Sequence, residues 1–196
     1  MRGSDIAGFL RANVEPLVRR TGRVEYRASA FLRGGWYLPC VVFEGNRGAW
    51  EYAKAASPER SRGRLADYLD SFAVWGWGPP SSKIGSHLIR RIERCPFAWP
   101  LRLLEQIHGE TVMSVTAFVV RMKDGRKFSY AVASMGEPFY DLPKGYTTDD
   151  ICQTYSGMVY TEAYGIEDYR ISTHHRSAHY YEEKTYFYCH IPELDL

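Results

Sequence analysis

The densest group of chemistry-bearing side chains is His174-His175-x-x-x-His179, followed by Glu182-Glu183-Lys184 and Cys189-His190. Imidazoles and carboxylates at short spacing can bind metals and transfer protons. His174, His190, Glu182 and Glu183 are therefore the candidate catalytic residues of a small metal-dependent hydrolase or nuclease, with His174 and His190 as its candidate metal ligands. Two facts weigh against that chemistry. Neighbouring residues on a strand point to opposite faces, so His174 and His175 cannot share one metal without a bulge. The Glu-x-Lys triplet ending at Lys184 also needs a carboxylate converging from another strand, and the sequence places none. The plainer account is an exposed histidine on a tyrosine-rich strand beside a charged turn.

A second group is cationic. At the helical period, His87, Arg90, Arg91 and Arg94 fall on one side of residues 84–95, with Ile84, Leu88, Ile92 and Cys95 on the other. Guanidinium forks suit bidentate contacts to phosphate or carboxylate, although such a stripe is also the ordinary solvated face of an amphipathic helix. Trp75-Gly-Trp77-Gly-Pro-Pro is a candidate aromatic platform, since large rings on a positioned loop stack on bases or sugars. Tyr186 and Tyr188 belong to the same reading, because tyrosine supplies rigid contact area with a polar tip. Phosphate-cradling glycine loops, dinucleotide fingerprints and serine nucleophile elbows are absent from the chain, so a nucleotide-dependent enzyme of the commonest types is not expected.

These side chains need elements to position them. Residues 5–20 read as a helix interrupted at Pro16, and residues 23–32 and 36–43 read as a hairpin closed by Arg33-Gly34-Gly35. Ser57-Pro58-Glu59 has the chemistry of a helix start, for a helix running to about Phe72. Further helices are expected over 84–95 and from Pro100 to a left-handed cap at Gly109. Beyond Gly109 the period shortens to that of strands: residues 111–122 and 127–135 flank Asp124-Gly125, a strong hairpin signal. The first of these is apolar on both faces, which predicts a central strand covered by helices. Thr147 and Thr148, ahead of Asp149-Asp150, are the candidate caps of a short helix within 147–164. The tail, 169–191, reads as two strands, with Arg170, Ser172, His174 and Arg176 beside Lys184, Tyr186, Tyr188 and His190 on a polar face. The expected fold is one α+β domain over 1–196, an antiparallel sheet of about four to six strands covered by three or four helices mainly from the N-terminal half.

Composition bounds the function. With 196 residues, 45% hydrophobic and 24% charged, the chain is long and apolar enough for a packed core and has no run suited to a membrane helix. Its net charge of +2 hides an asymmetry. Residues 1–109 hold 17 Lys+Arg against 10 Asp+Glu, whereas residues 110–196 hold 8 against 13. That difference is either a basic surface for a partner or a set of internal pairs, which would show as contacts from Arg90, Arg91 and Arg94 to Asp149, Asp150, Glu167 or Asp168. The four dispersed cysteines form no metal or redox motif, which with the lack of a leader segment predicts reduced thiols in the cytoplasm. The leading expectation is a non-catalytic binding or interaction module, without cofactor, that holds an anionic or macromolecular partner, protein or nucleic acid, on its arginine face and tyrosine-rich strands. The competing expectation is the metal-dependent hydrolase. Self-association through the edge of the last strand is compatible with either.

Overall fold

A computed structural model describes residues 1–18, 24–45, 82–133 and 139–195. Strand makes up 45% and helix 18%, so the fold is mostly β-sheet rather than the α+β arrangement expected. Among the described residues there are two α-helices, of which one exceeds a single turn; the three or four covering helices are not found there. The helix expected from Ser57 and the loop of Trp75 and Trp77 lie outside the described residues. The described chain forms two compact units, Met1–Cys95 with Thr185–Leu196, and Pro96–Lys184.

In the first unit, α1 (Gly3–Asn13) opens with Asp5 accepting from the Arg2 backbone N–H. It ends three residues before Pro16, which has no N–H to give a helix and disfavours helical backbone before it. The continuation to residue 20 is thereby corrected: Pro16–Val18 is strand β1, antiparallel to β2 (Val24–Leu32). The hairpin of β2 with β3 (Tyr37–Glu44) forms as expected, its turn carrying Gly35 at a φ of +86° that an L side chain rarely adopts. Beyond β3 lie β12 (Phe187–His190) and β4 (Ser82–Lys83), both added in parallel, while β5 (Ile89–Arg94) pairs with the other edge of β2. Ile6, Ala7 and Leu10 of α1 pack on Tyr26, Ala28, Ala30, Val41, Phe43, Ile89, Ile92, Cys189 and Ile191, covering one face of this sheet. The opposite face is polar as well as buried: Glu25, Arg27 and Ser29 lie on it, none of the two charged residues without a partner.

The largest correction concerns residues 84–95. They form a 3-10 turn at Ser86–Leu88 followed by β5, not a helix. Ile89 pairs with Leu32 but Arg91 pairs with Phe31, so Arg90 is an extra residue, a bulge. That one-residue slip reverses the alternation and lets Ile89 and Ile92, three apart, both reach the core. The same slip explains the misleading pattern, since an apolar spacing of three is also what a helix shows. Leu88, expected on the buried side, is 42% exposed.

In the second unit, β6 (Val115–Met122) is central, between β7 (Lys127–Ala133) and β8 (Ile151–Ser156), and Gly125 closes the β6–β7 hairpin as its Asp-Gly signal requires. The helix from Pro100 shrinks to one turn, α2 (Leu101–Leu104), so β6 is not covered by helices of the expected length. Its cover is aromatic instead: Trp99 meets Phe118, Tyr130 and Tyr140 edge-on at 5.1–5.8 Å, and Phe118 stacks on Tyr130 at 4.8 Å. Thr147 does cap, with its backbone N–H and hydroxyl both donating to Asp150, but only a 3-10 turn follows before β8 and β9 (Met158–Thr161). β9 turns at Tyr164 into β10 (Gly165–Asp168). The expected tail strands do not pair with each other. Residues 169–177 are turns, β11 (Tyr180–Tyr181) joins β7 in parallel, and β12 joins β3 in the other unit.

Candidate functional site

The tip of the β2–β3 hairpin and the bulged strand β5 together present an arginine and aromatic surface. Arg91 of β5, Phe31 of β2 and Tyr37 of β3 are neighbours in register, and so form one row across three strands on one face. The Arg91 guanidinium lies 4.1 Å from the centroid of Phe31, and the Phe31 and Tyr37 rings are 4.7 Å apart. This geometry is a cation–π contact followed by an aromatic pair. Tyr37 donates to the Ser29 hydroxyl at 3.3 Å, and Glu93 holds Arg91 from the side at 3.4 Å. Arg91 nevertheless keeps 61% of its side chain in solvent, and Arg33 and Arg90 are exposed nearby on the turn and the bulge.

The turn fixes the rest of the surface. Leu32 and Trp36 close it by a backbone hydrogen bond, and Arg33 donates its N–H to the Leu88 carbonyl, tying the tip to the start of β5. Tyr37 is 43% exposed and Trp36 72%, the latter lying over Gly34 and across from Leu32, on the face opposite Tyr37. Of the expected cationic group, Arg90 and Arg91 belong to this surface and His87 is exposed on the preceding 3-10 turn. Arg94 points elsewhere: its Nε donates to the Asn13 carbonyl at 2.9 Å, at the negative end of α1. Phe31, Arg33, Trp36 and Tyr37 were not among the expected site residues. Their signal was the crowding of Arg33, Trp36 and Tyr37 around a two-glycine turn.

His174 lies in the second unit and His190 on β12 of the first, and among the described residues no group of three or more His, Cys, Asp or Glu side chains could hold a metal ion. Glu182 is exposed, while Glu183 is half-buried on an isolated bridge to Tyr140, and that burial raises its pKa. Lys184 pairs with Asp141 at 2.7 Å rather than with either glutamate. His190 sits in register with Glu44. Tyr186 is buried, with Tyr188 edge-on to it at 5.5 Å, so Tyr186 is a packing side chain. The last strand is flanked by β3 and β4, and so is not the sheet edge expected for self-association.

His174 has a different carboxylate partner, one missed in the sequence. Its Nδ1 is 3.0 Å from Glu167 Oε2, the Ser172 hydroxyl donates to the same oxygen at 2.9 Å, and the Tyr164 ring stacks on the imidazole at 3.5 Å. The hydrogen bonds from His174 and Ser172 hold the Glu167 carboxyl below its ordinary pKa. A carboxylate so placed orients an imidazole for proton transfer at Nε2. The nearest hydroxyl to Nε2, that of Thr173, stands at 3.5 Å, long for a nucleophile–base pair.

No protein family, curated protein or solved structure matches this chain.

Proposed function

We propose that the protein is a non-catalytic binding module that holds an anionic macromolecular partner on the row of Arg91, Phe31 and Tyr37, with the exposed Arg33 and Arg90 beside it. The observation that carries this reading is the stacking of Arg91 on Phe31 with most of its side chain in solvent. A guanidinium held over a ring loses little freedom when it meets an anion, and it keeps its outward N–H donors for that contact. The reading goes with a cytoplasmic chain whose four cysteines are reduced; no described helix is long and apolar enough to cross a membrane. It leaves room for self-association, for which β5, paired with β2 alone among the described strands, is one open edge.

The test is affinity for heparin, a generic polyanion, as a function of salt. Wild type should bind at low ionic strength, and the combined R33A/R90A/R91A variant should lose at least tenfold, with the slope of log K against log salt reduced by about two to three. No binding by wild type, or equal binding by the variant, would remove the proposal.

A second reading, hydrolysis with His174 as the acid–base group, is favoured by the Glu167–His174 hydrogen bond alone. Hydrolysis of generic phosphodiester and carboxylic ester substrates that H174A abolishes would support it, and turnover unchanged by H174A would end it.

A further inference from the structure

We propose that Arg121 and Lys127, in the second unit, form a binding site for a phosphate group, separate from the Arg91 row of the first unit. The two cations are register partners on the neighbouring strands β6 and β7, and Gln153 of β8 is the register partner of Arg121 on its other side. The three therefore form one row on one face, opposite the face from which Phe118, Val120 and Met122 pack into the core. Side chains so paired have Cβ atoms about 5 Å apart, close enough for both cations to meet one oxyanion. Each cation is anchored by a neutral group. Arg121 Nη2 donates to Gln153 Oε1 at 3.0 Å, and Lys127 Nζ lies 5.4 Å from the centroid of the Tyr160 ring. Ser129 fixes the strand that carries this ring, donating to the Tyr160 carbonyl at 3.0 Å and accepting from its N–H at 2.7 Å.

The inference is carried by two positive charges that no acid answers. Residues 110–196 hold 13 Asp+Glu, yet among the described residues neither Arg121 nor Lys127 forms an ion pair. Asp124, on the turn between them, is held by Tyr146 and Arg126, and Asp150, before β8, is held by Thr147. Like charges directly opposite each other destabilise a sheet, so this pair costs stability until an anion joins it. Arg121 Nε adds to that cost, being buried without a hydrogen-bond partner. Gln153 Oε1 already accepts from Arg121 and from the Tyr155 hydroxyl at 2.8 Å, which leaves the amide N–H groups of Gln153 to donate. Arg121, Lys127 and Gln153 thus offer a further ligand only donors. Two positive charges balance a dianion, and a guanidinium beside an ammonium suits a tetrahedral phosphate better than a singly charged carboxylate. Arg121, Lys127, Gln153, Tyr155 and Tyr160 are each half-buried, so the site takes one small group rather than a polymer.

The experiment is a 1H–15N NMR titration with inorganic phosphate, methyl phosphate and acetate at constant ionic strength. Phosphate should give saturable shifts at residues 119–121, 127–129, 153, 155 and 160, with a Kd of about 1 mM, as two charge-assisted contacts warrant. Acetate, with one charge, should bind at least about tenfold more weakly, as should phosphate to R121Q and to K127Q. The R33A/R90A/R91A variant should bind phosphate as wild type does. Methyl phosphate identifies the source: affinity within a few fold of phosphate assigns the site to a monoester on a larger molecule, and a loss of about tenfold assigns it to the free ion. Thermal unfolding separates lost contact from lost fold. Without phosphate, K127Q should melt at or above wild type, because the repulsion is gone. Adding phosphate to about 20 mM should then raise the midpoint of wild type but not of K127Q. No saturable shift at these residues by about 20 mM phosphate, or equal affinity in wild type and K127Q, would overturn the site. So would shifts confined to residues 31–37 and 90–91, which would give the phosphate to the hairpin tip.

Discussion

Arg91 and Arg94 are three residues apart on one strand and have unlike work. Arg94 reaches the carbonyl end of α1 and is held there, whereas Arg91 is stacked on Phe31 and projects outward. Replacing Arg91 by Lys should therefore reduce heparin affinity severalfold despite the conserved charge, because an ammonium neither stacks on a ring nor presents a planar fork; R94K should leave it within about twofold in the same assay. Equal effects at the two positions would mean that charge alone matters on this strand. The arginines were legible in the sequence as a cationic group, but which of them is stacked on a ring and which is tied to α1 was not. That depends on Phe31 and Asn13, distant in sequence. The partner of His174 was missed for a different reason: Glu167 is only seven residues away, but the chain between them turns rather than running as the strand its alternation suggested.

At the level of elements, the bulge at Arg90 decides which face of residues 89–94 is buried. Ile89→Ala and Ile92→Ala should each cost about 2–5 kcal/mol, the usual range for an emptied core site. Leu88→Ala, on the buried side of the helix expected from sequence, should cost under about 0.5 kcal/mol. Urea unfolding measures all three, and a loss at Leu88 as large as at Ile92 would restore the helix. The two hairpins were legible because their turns carry the signal locally, in Gly34-Gly35 and Asp124-Gly125. β11 and β12 were not, because their partners are β7 and β3, about 50 and 146 residues earlier in the register of Tyr180 with Ser129 and Phe187 with Val41. No local pattern reports a parallel pairing of that kind. Thr147 shows the intermediate case, in which the cap was real and the helix it announced was replaced by one 3-10 turn.

Across the whole molecule, the acids that could have met Arg90, Arg91 or Arg94 have other partners. Asp149 meets Arg102, Asp150 meets Thr147, Asp168 meets Arg170, and Glu167 meets His174, so these four acids have partners within their own unit. Hydrogen bonds hold Asp124, Asp150, Glu167 and Asp168 below their ordinary pKa values, led by Tyr146, the Thr147 backbone, His174 and Arg170 respectively. A carboxyl depressed in the folded state contributes its full stability at neutral pH and loses it as the pH falls through the folded value. Glu183, raised by burial, works in the opposite sense and offsets part of that loss. The urea midpoint should therefore fall steadily between about pH 5 and about pH 2.5, and a midpoint that held or rose over that range would contradict these pairings. The measurement closest to the central claim is a two-dimensional 1H–15N NMR titration with heparin. The account predicts shift changes concentrated at residues 31–37 and 90–91 and lost in the R33A/R90A/R91A variant; changes centred on the Glu167–His174 region, or none at saturating heparin, would contradict it.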